Sequence, residues 1–452
     1  MQVDVVSTEE LGDRSYIAHS GTDAVVIDPQ RDIDRIEAVL DRLGVTVSLV
    51  VETHIHNDYV TGGFELARRH QARYAVNAAD PVSFTRLPVS EGDVLQAGSL
   101  RVAAVATPGH TDSHLAYVIS DSSAPDEPPA VFTGGSLLYG SVGRTDLVDP
   151  ARTDELTRAQ YRSARKLADA LPDDAPVFPT HGFGSFCSAG AAAGGEDSTI
   201  GVERTRNDAL TEPDEQSFVD RLVANLTAYP AYYAHMSPRN LAGPGAPNLS
   251  APEAVDAAEL GKRIAAGEWV VDLRARVAYA ADHLAGSIAI ELGTQFATYV
   301  GWLAPWGAPL TLIGDSPDAI AAAQRQLVRI GIDRLAGAAA GDLGTLTAPN
   351  VERRSFPRVG FADVEPHAPG QVILDVRRDD ERTAGAIPAS VHIPLHALLN
   401  RLDELPAARL WVHCGSGYRA SIAASLLDRA GIDVVYIDDD YSHAVELGLA
   451  DS

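Results

Sequence analysis

From residue 269 to residue 372, and again from 283 to 386, the chain repeats itself at a spacing of 103 residues. Trp269-Val-Val-Asp-Leu-Arg274 returns as Val372-Ile-Leu-Asp-Val-Arg377, and His283-Leu-Ala-Gly-Ser-Ile-Ala-Ile290 as Ala386-Ile-Pro-Ala-Ser-Val-His-Ile393. A fixed period constrains a fold more than any local propensity does, because each copy is one structural unit. Each copy continues into a second apolar strand (Pro309 to Ile313; Arg409 to His413), a turn and an amphipathic helix (Asp318 to Ile330; Arg419 to Ala430). The economical reading is two similar α/β domains, at 253–350 and 351–452.

Residues 1–236 form a different α/β domain. Strand-like runs (Ala24 to Ile27, Ser48 to Val51, Arg73 to Val76, Leu100 to Ala106, His114 to Ile119, Ala130 to Thr133) alternate with helical periodicity at Ile33 to Leu43 and Gly63 to His70. A helix is expected from Thr153, as N-cap, to Leu171, and Glu212 to Met236 looks helical and then aromatic (Tyr229, Tyr232, Tyr233). The Gly/Ala/Ser-rich stretch 184–201 reads as a loop folded over the site, and the Pro/Gly/Asn-rich 237–252 as a linker.

The length of 452 residues agrees with two to four domains. A net charge of −26 argues against a nucleic-acid partner, which would call for clustered Lys and Arg. There is no 18-residue apolar run and no basic-then-apolar N-terminus, so neither a membrane span nor a signal peptide is expected, and the expected compartment is the cytoplasm. Cys187 and Cys414 are the only cysteines. They fall in different expected domains, so both read as candidate nucleophiles rather than as a disulfide.

Two stretches carry chemistry. In Leu49-Val-Val-Glu-Thr-His-Ile-His-Asn-Asp58 an apolar strand delivers His54 and His56, at i and i+2, to one side as the chain leaves the sheet. His110 and His181 likewise follow strand-like runs. His54, His56 and His110 would supply three imidazoles and leave a coordination position open, as a catalytic metal requires. Asp58 and His181 would hold a second ion or orient the ligands. His70 and His114 read as packed or solvated side chains. In Arg409-Leu-Trp-Val-His-Cys-Gly-Ser-Gly-Tyr-Arg419, Cys414 opens a tight loop between strand and helix. Loop amides, a helix N-terminus and Arg419 there favour a sulfur anion. The first copy has Gly314-Asp315 at that point, with no arginine closing the loop, and reads as catalytically silent. Cys187, six residues past His181 on a Gly-rich loop, could lie near the metal pocket.

Thr53-His-Ile-His-Asn-Asp58, Pro108-Gly-His-Thr111, Phe132-Thr-Gly134 and Val142-Gly-Arg-Thr-Asp146 resemble the metallo-β-lactamase fold, and within it the persulfide dioxygenase branch. That resemblance implies an αββα sandwich and one non-haem Fe(II) held at His54, His110 and an aspartate after Thr-Gly. It also implies oxidation of a thiol persulfide by O₂ to sulfite. Here the aspartate position is Gly135, and Tyr59 stands where a histidine usually follows Asp58. The remaining three-histidine set is more typical of Zn, unless Asp58 or Asp146 takes over, so one divalent ion is expected, Fe(II) by resemblance or Zn by ligand set. Cys-x4-Arg resembles a rhodanese loop, with Asp375-Val-Arg377 matching that fold's other signature. The domain order resembles bacterial persulfide dioxygenase–sulfurtransferase fusions, which implies sulfur chemistry for Cys187 as well. The expected function is persulfide metabolism: transfer at Cys414 and oxidation at the metal, acting on a low-molecular-weight thiol persulfide or thiosulfate. The alternatives are a glyoxalase II-like thioester hydrolase fused to a sulfurtransferase, and a sulfur carrier or sensor with a degenerate metal site. Assembly as a homo-oligomer stays open.

Overall fold

The computed structural model describes residues 1–190, 197–365 and 371–450. It forms two units, Met1–Pro247 with Val328–Gly331, and Asn248–Leu327 with Ile332–Ser452.

In the first unit a six-stranded sheet runs in chain order through Gln2–Thr8, Asp13–Ser20, Asp23–Ile27, Thr46–Val51, Arg73–Asn77 and Leu87–Val89. The first three strands pair antiparallel and the rest parallel. A second sheet has the order Val177–Pro179, Ala130–Gly134, Leu115–Asp121, Leu100–Ala106, Val94–Ala97. Side chains alternate between the two faces of each strand. Tyr16, Ala18, Val25, Ile27, Leu49 and Val51 point inward onto Val102, Leu115, Tyr117 and Phe132 of the other sheet. Ile17, Val26 and Val50 point outward, into the same cluster as Ile36, Leu40 and Leu66 of helices Asp34–Leu43 and Gly63–His70. On the far side Ala116, Val131 and Val177 meet Ala164, Leu167 and Phe218 of helices Thr153–Ala170 and Glu215–Ala224. This is the expected αββα sandwich. Its central strands are apolar on both faces, so they read as continuous runs rather than as alternation.

Three local expectations change. The helix Thr153–Ala170 is led in by a 3₁₀ turn, and the capping side chain is Asp149, which accepts from the Ala151 amide, not Thr153. Glu212 to Met236 is not one helix: Glu215–Ala224 ends at Asn225, and a 3₁₀ turn, Ala231–His235, begins only after Pro230, whose ring removes an amide donor. The stretch from 237 opens as helix, Met236–Ala242, with Pro238 tolerated in its first turn and Gly243 closing it at φ +78°. Of the Gly-rich stretch 184–201, residues 191–196 lie outside the described residues.

The second unit contains both repeats, each built on a parallel sheet. The first has the order Ile288–Ala289, Trp269–Asp272, Leu310–Gly314, Gly337–Ala340. The second has Arg358–Val359, Val434–Ile437, Arg409–His413, Gln371–Asp375, Val391–His392. Read from opposite ends, the four strands of the first correspond in order to four of the second, which adds Arg358–Val359 at its edge. In both repeats the strand-end aspartate is clamped by the arginine two residues on. Arg274 Nε and Nη2 donate to Asp272 at 3.0 and 2.7 Å, and Arg377 Nε and Nη2 to Asp375 at the same two distances.

Candidate active sites

The side chains that could hold a metal gather where strands of both sheets end. His54, His110 and His181 each offer a ring nitrogen within 4.8 Å of the others. Their outer nitrogens are committed. His54 Nδ1 donates to Thr53 Oγ1 at 2.9 Å, His110 Nδ1 to the Arg144 carbonyl at 2.7 Å, and His181 Nδ1 to Asp13 at 2.9 Å. Thr53 Oγ1 in turn donates to Asp28 at 2.7 Å. Such outer partners fix the tautomer and leave each Nε2 as the ligand atom. His110 Nε2 is buried with no hydrogen-bond partner, and His54 Nε2 lies 3.3 Å from His181 Nε2. That is about the separation of two nitrogens on one tetrahedral ion with bonds of about 2.0–2.1 Å. Burial, with His181 beside it, pushes His110 down to about 3, whereas Asp58 and Asp13 overcome burial and hold His181 well up, a proton that a bound ion would displace. The donor set fits one divalent ion.

His56 is not brought into this set, and His181 takes its place. The His56 Nε2 faces Glu52 at 3.2 Å and Asp28 at 3.3 Å, and its ring stacks on Tyr59, whose hydroxyl is 3.0 Å from Nε2. Burial opposes charge on this ring, yet the two carboxylates outweigh it and hold His56 up to about 9. Tyr59, where a histidine was the usual residue, thus ties His56 into a carboxylate cluster. Asp58 groups instead with His56 and His181, and one of its oxygens has no partner. Asp146 is spent on Arg144, which grips both its oxygens at 2.7 and 2.8 Å. His114 is a packed residue, as read: it donates to Thr107 Oγ1 and accepts from the Gly135 amide.

Gly135 has a steric cause. A Cβ there would lie 2.3 Å from Cδ2 of His110, and one at Gly134, which has φ +53°, would lie 2.4 Å from Thr53 Oγ1. The His110 ring occupies the space a carboxylate would need. Gln160 donates to the carbonyls of Gly135 and Ser136 and fixes this turn, while Asn240 of helix Met236–Ala242 donates to the carbonyls of His56 and Tyr59. A 610 Å³ cavity, lined among others by Ile55, Asn57, Thr111 and Tyr233, opens beside the ligand-bearing loops. Cys187 is fully buried and hydrogen-bonded to Asp58; burial and the Asp58 charge push its thiol well up, so it stays protonated. Replacing His181 with alanine is expected to remove the bound ion, whereas His56→Gln keeps it and costs folding stability by roughly 3–5 kcal/mol through unpaired buried carboxylates. Elemental analysis beside a thermal melt separates the two.

In the second unit Cys414 is buried at the end of strand Arg409–His413, and Gly417, at φ +86°, turns the chain into helix Tyr418–Arg429. A Cβ at Gly417 would meet Asp438 Oδ1 at 2.2 Å, so the tight loop requires glycine there. Arg419 does not stand alone behind the sulfur: its two terminal nitrogens donate to Glu381 at 2.5 and 2.7 Å. The first repeat packs on this helix. Ser425 Oγ accepts from the Ala289 amide, Tyr418 donates to the Glu291 carbonyl, and Tyr299 lies 5.7 Å ring to ring from Tyr418. Burial opposes charge on Asp375, but the Arg377 clamp prevails and holds it at about 2. A depressed carboxylate stabilises above its unfolded value near 4 and loses that contribution as pH falls through about 2. Acid titration of the folded chain should show this loss, and Asp375→Asn should remove it.

The sandwich, with three histidines gathered at its strand ends, is followed in the chain by a cysteine-loop domain. The metallo-beta-lactamase superfamily profile matches residues 11–181 and the rhodanese-like domain profile residues 363–445. The chain therefore joins a metallo-beta-lactamase superfamily domain to a C-terminal rhodanese-like domain. It is 29% identical over 217 residues to the mitochondrial persulfide dioxygenase ETHE1 of Homo sapiens, spanning 48% of this chain and 75% of that one. It is 39% identical over 110 residues to the hydroxyacylglutathione hydrolase of Acidiphilium cryptum, 24% of this chain and 44% of that one. The chain spans half the length of the hydroxyacylglutathione hydrolase-like protein of Mus musculus, at 29% identity and over 33% of its own length. The crystal structure of a metallo-beta-lactamase from Staphylococcus aureus superposes with TM-score 0.67 at 27% identity, covering 76% of this chain and 99% of that one. No helix among the described residues is long and apolar enough to cross a membrane.

Carboxylates Asp13, Asp28 and Glu52 escaped the sequence reading. Asp28 and Glu52 carried a signal, each standing directly after an apolar run, Ala24 to Ile27 and Leu49 to Val51.

Proposed function

We propose that the chain is a cytoplasmic enzyme of persulfide metabolism, in which Cys414 transfers sulfane sulfur and the N-terminal centre oxidises a thiol persulfide. The observation that carries this reading is the presence of both devices in one chain: a buried His54-His110-His181 set with its outer nitrogens tied, and a Cys-x4-Arg loop on a rhodanese-like sheet. At Cys414 the thiolate attacks the outer sulfur of the donor. The donor S–S bond breaks, R–S⁻ leaves, and Cys414–S–S⁻ remains until an acceptor thiolate takes the sulfur and restores the cysteine.

His54, His110 and His181 would hold one divalent ion, Fe(II) in the persulfide-oxidising reading. Bound there, it supplies a Lewis acid and, as Fe(II), an electron source for O₂. Thr53, the Arg144 carbonyl and Asp13 keep the three rings oriented, and the deep burial of the rings limits access of bulk water. The net change is R–S–SH + O₂ + H₂O → R–SH + SO₃²⁻ + 2 H⁺. Oxygen-electrode traces of the metal-loaded chain test it: persulfide-dependent O₂ uptake with sulfite formation is expected. Anaerobic cleavage of an acylated thiol without O₂ uptake would favour the hydrolase, the second reading that the hydroxyacylglutathione hydrolase likeness supports. Metal absent after anaerobic purification would overturn both.

A further inference from the structure

Within the sulfur-transfer reading, we infer that Glu381 is a specificity-determining residue of the Cys414 loop: by closing an ion pair on Arg419 it excludes dianionic sulfur donors such as thiosulfate and admits singly charged thiol persulfides. The pair is bidentate, at 2.5 and 2.7 Å, the geometry in which arginine is most fully satisfied. It sits over the residue that follows the nucleophile. A Cβ on Gly415 would lie 3.1 Å from Arg419 Nη2 and 3.5 Å from Glu381 Oε1. Glu381 and Gly415 both line a 280 Å³ cavity with Arg377 and Tyr441.

The other guanidinium groups here are also matched. Arg377 is clamped on Asp375, Arg378 reaches both oxygens of Asp380 at 3.1 Å, and Arg382 reaches Asp375 at 3.2 Å. Helix Asp379–Ala384 brings three acidic residues, Asp379, Asp380 and Glu381, in its first turn. Among the described residues, an arriving dianion therefore meets no uncompensated guanidinium at this loop. To use Arg419 it must displace Glu381, whose charge then faces it across the cavity. With thiosulfate the step is Cys414–S⁻ + S₂O₃²⁻ → Cys414–S–S⁻ + SO₃²⁻, gathering three negative charges in the loop. With R–S–S⁻ it gathers two, and R–S⁻ leaves.

The test uses the full chain, mixed with thiosulfate or with hydroxyethyl persulfide, and follows the gain of one sulfur atom at the Cys414 peptide by mass spectrometry. Glu381→Gln is expected to raise the ratio of thiosulfate to persulfide loading by about tenfold, since like-charge opposition is what rejects a wrong partner. An unchanged ratio overturns the proposal. Wild-type chain gives an independent check that needs no variant to fold. Added salt should not slow thiosulfate loading; a fall with ionic strength, the mark of an open cation attracting the donor, overturns it. A Cys414→Ser chain should take up no sulfur at this peptide, and uptake there would overturn the sulfur-transfer reading itself rather than the role of Glu381.

Discussion

Cys414→Ser is expected to lower sulfur transfer from a persulfide to cyanide by at least about 10³-fold, with the fold intact. The thiol is buried at a strand end, and the turn through Gly417 into the helix is set by glycine and backbone, so serine fits without repacking. A hydroxyl there has neither the acidity nor the polarisability to take a sulfane sulfur. Transfer assays beside circular dichroism decide it: retained turnover in the serine chain would sink the assignment of Cys414 as the sulfur carrier. Cys187→Ser in the same assay should leave transfer untouched, because that thiol is buried beside Asp58 in the other unit.

Restoring a carboxylate at position 135 is expected to destroy the metal site rather than complete it. In Gly135→Asp the new Cβ would stand 2.3 Å from His110 Cδ2 and 2.6 Å from its Cγ, so the ring must leave its place. Displacing it also strains the bond from Nδ1 to the Arg144 carbonyl and crowds Gly143, which packs on the same ring. Overpacking of this kind costs roughly 1–3 kcal/mol in a dense interior. The expected result is a lower melting temperature and loss of bound ion by elemental analysis. A variant that bound Fe(II) more tightly would show that the loop can move, and that the three-histidine set is not fixed by Gly135.

The repeat, the strands and the Cys414 loop could be read in the chain because each is local: a run of apolar residues, a fixed period, a cysteine and an arginine five positions apart. The ligand set could not be read fully. His54 and His56 stand three and five residues past the same strand end, on one side by alternation, and what separates them is the partner each ring finds. Glu52 and Asp28 engage the Nε2 of His56, while Thr53 engages the Nδ1 of His54 and leaves its Nε2 toward His181. His181 reaches the site from a strand more than a hundred residues later. Its choice as a ligand depends on Asp13, which nothing in its neighbourhood marks. The stretch from Glu212 to Met236 is helical only at its start, because the aromatic run around Pro230 follows a proline that lacks the amide a continuing helix needs. Glu381 stands in plain view, in an acidic turn that reads as a solvated helix start, and only the folded loop shows it against Arg419.

The duplicated aspartate–arginine clamp allows the chain to serve as its own control. Asp272–Arg274 and Asp375–Arg377 have the same geometry, yet one precedes Gly314-Asp315 and the other Cys414. The clamp therefore belongs to the architecture and not to the chemistry. A strand-end carboxylate fastened in this way supports the sheet whether or not a nucleophile follows. The copy without a nucleophile instead provides the surface on which helix Tyr418–Arg429 rests.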